Sequence, residues 1–173
     1  AVSTISDFIG TELDHVAIID FEGFKALTDS LGGVTVNSEQ SFEKNGYTFD
    51  KGENVLDGDE ALTFVRERKS FQDGDFQRAR NQQAFIRGLT NEIISADTLS
   101  NPKKIQNMVE DFSPYMYVDS GLDAQYISAT AFAMRYFVTG YIEFFTSPTA
   151  GVGTSSDGQS IVNVDEDELK KVQ

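Results

Sequence analysis

Four of the six arginines in this 173-residue chain fall inside FVRERKSFQDGDFQRARNQQ, residues 64–83: Arg66, Arg68, Arg78 and Arg80. A guanidinium is planar, permanently charged and forked, so several converging on one point hold a polyanion such as a diphosphate bidentately. Glu67, Asp73 and Asp75 are threaded among the arginines, where that ligand would repel them. Asp75 makes sense beside such a site if it orients an arginine or accepts a proton, while a helix start adds its dipole toward the anion. Phosphoryl transfer runs largely on positioning and charge neutralisation, and needs no protein nucleophile when a substrate hydroxyl is the acceptor. The same residues also fit a structural network. R-E-R-K at a helix end is commonly a solvated face with Glu67 and Asp73 in weak surface ion pairs, and a charge on an apolar stripe must be paired or bind something. Charge alone leaves both readings open.

The elements that must position these residues are legible as patterns. The spacing of Phe85, Ile86, Leu89, Ile93 and Ile94 predicts a helix from Asp75 to about Ser95. At about 100° per residue, Asp75, Arg78, Gln82, Ile86, Leu89 and Ile93 share one stripe and Arg80 and Arg87 point off it. The expectation is therefore that Asp75, Arg78 and Gln82 face inward and Arg80 outward. Asp57 caps a preceding helix through Val65, with Glu60 completing a capping box, so Arg66 and Arg68 fall where that helix ends. Upstream, HVAIID (15–20) reads as a short buried strand and FEGFKALTDSLGG as a helix with a Gly-Gly stop. GVTV (33–36) is a further strand, and Asn45-Gly46 and Asp50-Lys51-Gly52 are turns around YTF and ENVL, predicting a small hairpin excursion.

Downstream, PKKIQNMVEDF and LDAQYISATAFAMRYF read as helices with YMYV (115–118) as a strand between them. GYIEFFTS and SIVNV read as strands separated by the loop PTAGVGTSSDG, and DEDELKK as a terminal helix or a frayed tail. The alternation favours an α/β architecture, a sheet flanked by helices.

Composition narrows the function classes. A net charge of -14 and a pI near 4.3 argue against general affinity for nucleic acid or an anionic membrane surface. With 39% hydrophobic residues the chain is long enough for one ordinary core. Cysteine is absent, so compartment is not decided by redox chemistry. The lone His15 has no partner for a zinc site and is expected to be structural. The most apolar run, ATAFAMRYFVTGYIEFF, carries Arg135 and Glu143 and falls short of a membrane span.

The stretches DHVAIIDFEGFKALTDSLGGVTVNSEQSF and FDKGENVLDGDEALTFVRERKSFQDGDFQRARNQQAFIRGL resemble the LytR-CpsA-Psr (LCP) family of Gram-positive cell-wall enzymes. The resemblance rests on DFEGF, LGGVTV, LDGDEALTFVRER and DFQRARNQ in this order. It implies an α-β-α sandwich with a central mixed sheet, incomplete in this chain, whose core pocket holds a lipid and whose mouth binds diphosphate. By resemblance Arg66, Arg68, Arg78, Arg80 and Gln82 bind the diphosphate; Arg66, Asp75 and Arg78 are catalytic, with Asp75 ordering the arginines. Phe85, Ile86, Leu89, Phe132 and Phe137 are candidates for the lipid pocket wall, the plain-core reading standing beside it.

The resemblance further implies a magnesium-dependent phosphotransferase that takes a glycopolymer from a polyprenyl-diphosphate carrier and attaches it to peptidoglycan or a surface glycoprotein. A polyprenyl-diphosphate hydrolase and a non-catalytic wall-binding domain are the alternatives. Residues 1–163 correspond to the C-terminal part of one catalytic domain and 164–173 to the terminal helix or tail. The N-terminal half, expected to supply most Mg²⁺ ligands and a membrane anchor, would be a partner of this chain, with no metal ligands expected here. The protein is expected to be extracytoplasmic, and this chain to be inactive alone.

Overall fold

The computed structural model describes residues 2–95, 103, 113–122, 126, 129–130, 133 and 146–172. In chain order its elements are α1 (Val2–Ile9), β1 (Ala17–Ile19), α2 (Phe21–Ser30), β2 (Val34–Ser38), β3 (Phe42–Lys44), β4 (Tyr47–Phe49), β5 (Gly52–Leu56), α3 (Gly58–Arg66) and α4 (Asp75–Ile94). A 3₁₀ turn (Ser113–Tyr115), β6 (Met116–Val118), β7 (Thr149–Thr154), β8 (Ser160–Val164) and α5 (Glu166–Val172) follow. The chain is α/β, as its alternation predicts. Among the described residues the strands form four two-stranded antiparallel ladders: β1 with β6, β2 with β5, β3 with β4, and β7 with β8. Two compact units are defined, His15–Phe144 and, separately, Ala1–Asp14 with Phe145–Gln173.

In the first unit the turn chemistry acts as read. Asn45 and Gly46 hold φ of 53° and 86°, the paired left-handed conformations that close a two-residue hairpin with the correct twist. That turn joins β3 to β4, pairing Phe42 with Phe49. The strand ENVL does not extend this hairpin. It lies in β5, which pairs with β2 from Val34↔Leu56 to Ser38↔Gly52 and so buries Val34, Val36 and Leu56 together. The hairpin is fixed by aromatic packing. Phe42 stacks on Phe49 at 4.6 Å between centroids, meets Phe71 edge-on at 4.9 Å and lies 5.8 Å from Phe64. These rings join the hairpin, α3 and the α3–α4 loop into one core.

Asp57 caps α3 with a complete capping box involving Glu60. Asp20 caps α2, its carboxylate accepting from the Gly23 amide at 2.8 Å. α4 crosses β2 so closely that a Cβ added at Gly88 would lie 2.1 Å from the Thr35 carbonyl oxygen. Only glycine permits that approach.

Three expectations are corrected. β1 is a strand but an exposed one, with Ile18 61% accessible, held by its antiparallel pairing with β6 and by the stiff β-branched side chains of Ile18 and Ile19. PTAGVGTSSDG is not an open loop: Thr149–Thr154 pairs with β8, with a register irregularity between Thr149 and Gly151 that Gly151, at φ 107°, accommodates. The third is the buried face of α4, which carries Gln77, Asn81, Phe85 and Gly88 and not the expected stripe. Of GYIEFFTS only Thr146 and Ser147 are described, and neither is in a strand. The helices expected over PKKIQNMVEDF and LDAQYISATAFAMRYF, with Phe132 and Phe137, lie essentially outside the described residues. No helix among the described residues is long and apolar enough to cross a membrane.

Candidate functional site

α3 ends at Arg66, where a cation meets the negative end of the helix dipole. Its guanidinium carbon stands 4.4 Å above the centre of the Phe21 ring, a cation–π contact that holds the side chain without neutralising it. Glu67 then leaves the helix in an extended conformation, φ -69° and ψ 134°. Successive side chains of extended backbone point to opposite sides, and burial shows the outcome: Arg66 and Arg68 are exposed while Glu67 is only 4% accessible.

Glu67 is thus no surface partner. Its carboxylate accepts from the Ser70 amide at 2.8 Å and the Ser70 hydroxyl at 3.1 Å, and meets Lys44 Nζ at 2.8 Å. Burial pushes the acid up, but the hydrogen bonds from Lys44 and Ser70 prevail and hold it at about 2. This anchor ties the Arg66–Arg68 segment to the β3–β4 hairpin. Glu67 is the residue sequence reasoning missed; the spacing Arg-Glu-Arg at a helix end, where extended backbone alternates sides, is the signal that finds it.

Asp75, the first residue of α4, joins the two arginine pairs: its Oδ1 lies 3.0 Å from Arg78 Nη2 and 3.6 Å from Arg68 Nη1. Gln82 donates through Nε2 to the Val65 carbonyl at 3.2 Å, placing it on the last turn of α3 beside Arg66. The structure therefore joins Arg68, Asp75 and Arg78 and sets Gln82 against the last turn of α3, while Arg66 stands over Phe21 and shares a cleft wall with Arg68. Arg80 is committed elsewhere. It engages Glu39 at 2.8 Å, Asp73, and the Gln77 side chain, and the Arg80 hydrogen bond keeps the Asp73 carboxyl below its usual range.

The expected inward stripe of α4 is corrected. The buried face carries Gln77, Asn81, Phe85 and Gly88; Arg78 is partly exposed and Ile86 is 48% accessible. Polar groups occupy the buried face because they satisfy one another: Gln40 donates to Gln77 at 2.9 Å, Gln77 to Asn81 at 3.0 Å, and Asn81 to the Phe64 carbonyl at 3.3 Å. Arg80 flanks this ladder and does not point away from it. Among the candidate lipid contacts, Phe85 is in the core at 4.7 Å from Phe24 and Leu89 is partly buried against the same core, leaving Ile86 as an exposed apolar side chain.

His15 is structural, as expected: Nδ1 meets Asp119 Oδ1 at 3.1 Å and its ring packs on Tyr126. Hydrogen bonds from the Val16 amide, His15 and the Gly121 amide hold Asp119 at about 2. No group of three or more His, Cys, Asp or Glu suited to a metal occurs among the described residues.

Beside the arginines lies an open cleft of about 620 Å³ between the end of α3 and the β3–β4 hairpin. The site is thus a guanidinium cluster spaced by a bridging carboxylate, on an α/β scaffold. The chain belongs to the LytR_cpsA_psr family, whose model matches residues 1–173. It is 31% identical over 167 residues to the Corynebacterium glutamicum cell wall biosynthesis protein LcpA, covering 95% of this chain and 32% of that protein. It is 29% identical over 173 residues to the Enterococcus faecalis polyisoprenyl-teichoic acid–peptidoglycan teichoic acid transferase TagU, covering 100% of this chain and 54% of that one. The crystal structure of Bacillus subtilis TagV superposes with a TM-score of 0.84 at 25% identity, over 99% of this chain and 65% of the TagV chain. The chain thus spans a third to a half of the length of these curated relatives.

Proposed function

We propose that this chain carries the diphosphate-binding part of a phosphotransferase that moves a glycopolymer from a polyprenyl-diphosphate carrier to peptidoglycan, outside the cytoplasmic membrane. The observation that carries the reading is the Arg68–Asp75–Arg78 bridge with Arg66 and Gln82 beside it. A single carboxylate shared by two guanidiniums leaves donors on both for a dianion. The names of TagU and LcpA, a peptidoglycan teichoic acid transferase and a cell wall biosynthesis protein, support the substrate class and the location.

In the proposed reaction Arg66, Arg68 and Arg78 hold the diphosphate. An acceptor hydroxyl attacks the sugar-proximal phosphorus in line, forming a new P–O bond as the bond to the distal phosphate breaks. Polyprenyl phosphate leaves and takes the hydroxyl proton, its growing charge met by the arginines. Asp75 acts as an orienting group: its Oδ1 lies between the Arg68 and Arg78 guanidiniums, at 3.6 Å and 3.0 Å. Arg80 contributes through structure, since Glu39 and Asp73 already engage it. The Mg²⁺ implied by resemblance finds no ligand set among the described residues, and Asp75, the carboxylate within the cluster, is engaged by arginines.

Transfer in the intact family domain tests the assignment. Arg78→Ala is expected to lower release of polyprenyl phosphate and labelling of peptidoglycan at least ~100-fold while the variant stays folded. Unchanged turnover would remove Arg78 from the site, and phosphate release without peptidoglycan labelling in wild type would make the enzyme a hydrolase.

A further inference from the structure

Arg68 is the least supported member of the arginine cluster. Its guanidinium is 54% accessible and, among the described residues, its one ionic contact is Asp75 at 3.6 Å. Arg66 rests on the Phe21 ring at 4.4 Å, and Arg78 meets Asp75 at 3.0 Å within one helix. Where Arg68 projects is therefore set by its backbone, which belongs to no helix or strand. Something else must hold it.

The holding contacts come from β3. Phe64 and Phe71, at either end of the segment, both pack on Phe42, at 5.8 Å and 4.9 Å between centroids. Those rings fix where the segment starts and ends but not how its middle is turned. The middle is held by Glu67. Its amide donates to the Thr63 carbonyl at 3.1 Å, continuing the α3 ladder. One oxygen of its carboxylate accepts from the Ser70 amide and hydroxyl, at 2.8 Å and 3.1 Å, which closes a loop around Arg68 and Lys69. The other oxygen meets Lys44, the last residue of β3, at 2.8 Å. Glu67 is only 4% accessible, so water does little to weaken these bonds.

We propose that Glu67 and Lys44 are positioning residues for diphosphate binding: pinned to the hairpin through this pair, the Glu67–Ser70 loop presents Arg68 beside Arg66 and toward Asp75 before the ligand arrives. This rests on the diphosphate reading of the arginines. A guanidinium on a loose loop must be ordered at the moment of binding, whereas one already held need not be, and the difference appears as affinity. Glu67 and Lys44 act through Arg68 and not on the ligand.

The test is a calorimetric titration of farnesyl diphosphate into the chain carrying Glu67→Gln together with Lys44→Met. This double variant removes one charge of each sign, so the net charge is unchanged, and it strands no ion, so it keeps most of the stability that urea denaturation reads. Its affinity is expected to fall about fivefold even so, the cost of ordering a loosened arginine on binding. A role in folding alone predicts affinity equal to wild type once stability is recovered, and that result overturns the proposal. A double-mutant cycle locates the effect. Arg68→Ala is expected to weaken binding about tenfold in wild type but only about twofold in the double variant, because an unpositioned Arg68 has less to lose. Equal losses in the two backgrounds overturn the proposal as well. Glu67→Gln alone is the second variant should the double one not fold. It makes the chain more positive, which by charge alone tightens anion binding, so weaker binding by the folded single variant supports the positioning role and equal or tighter binding overturns it. Failure of farnesyl diphosphate to bind wild type is a different result, and strikes the diphosphate reading beneath the proposal.

Discussion

Removing one member of the Glu67–Lys44 pair gives the most informative perturbation of the scaffold. Glu67 is 4% accessible and held at about 2 against a usual 4.5, a displacement equivalent to about 3 kcal/mol between its two protonation states. Glu67→Gln keeps the shape and one acceptor for Ser70 but strands the Lys44 ammonium. Lys44 is 37% accessible, so water relaxes part of that charge, and the expected loss is about 2–3 kcal/mol, the lower end for a broken buried pair. Because the folded value is depressed, the stabilisation is fully present above the unfolded value of 4.5 and disappears as pH falls through about 2. Urea denaturation of wild type and Glu67→Gln near neutral pH and again near the lower value reads both. The double variant Glu67→Gln with Lys44→Met is expected to recover a large part of the loss, since no charge is then left unpaired. A loss at acid pH as large as at neutral pH, or no loss at all, would refute the reasoning.

Further outcomes follow from the same geometry. Arg80→Ala is expected to cost about 1–2 kcal/mol through Glu39 and Asp73, both pairs being partly exposed, while leaving diphosphate affinity within about twofold by calorimetry; strong loss of affinity would move Arg80 into the site. Asp75→Ala, which frees Arg68 and Arg78 from their common partner, is expected to weaken diphosphate binding about tenfold through lost orientation, measurable in the same titration. Tighter binding would show that Asp75 merely repels the ligand. Gly88→Ala is expected to lower stability by at least about 2 kcal/mol, because the new Cβ meets the Thr35 carbonyl. A thermal midpoint equal to wild type would show that α4 and β2 separate without cost.

Much of this arrangement is legible in the sequence because it depends on local chemistry. The Asp57–Glu60 capping box, the Asn45-Gly46 turn and the start of α4 at Asp75 each follow from residues a few positions apart. The approach of Arg68 to Arg78 through Asp75 joins two motifs separate in the chain, which the family resemblance linked. The buried face of α4 did not, because Gln77 and Asn81 are polar and their burial depends on Gln40 and on the Phe64 carbonyl, far away in the chain. Phe85 and Gly88 fix the true phase: counting back from them by four and seven reaches Asn81, and a further four reaches Gln77. Glu67 escaped for the same reason, since only the hairpin brings Lys44 to it. The strand at Thr149–Thr154 is glycine-rich, with little intrinsic preference for extended backbone, and is specified by its partner β8.

The central claim is that Arg66, Arg68 and Arg78 form one diphosphate site ordered by Asp75. Titration of farnesyl diphosphate into wild type and Arg78→Ala tests it most directly, with circular dichroism establishing that both are folded. The account predicts saturable binding to wild type that weakens as salt rises and falls by at least about tenfold in Arg78→Ala. Binding of equal strength to both proteins, or none to folded wild type, would contradict it.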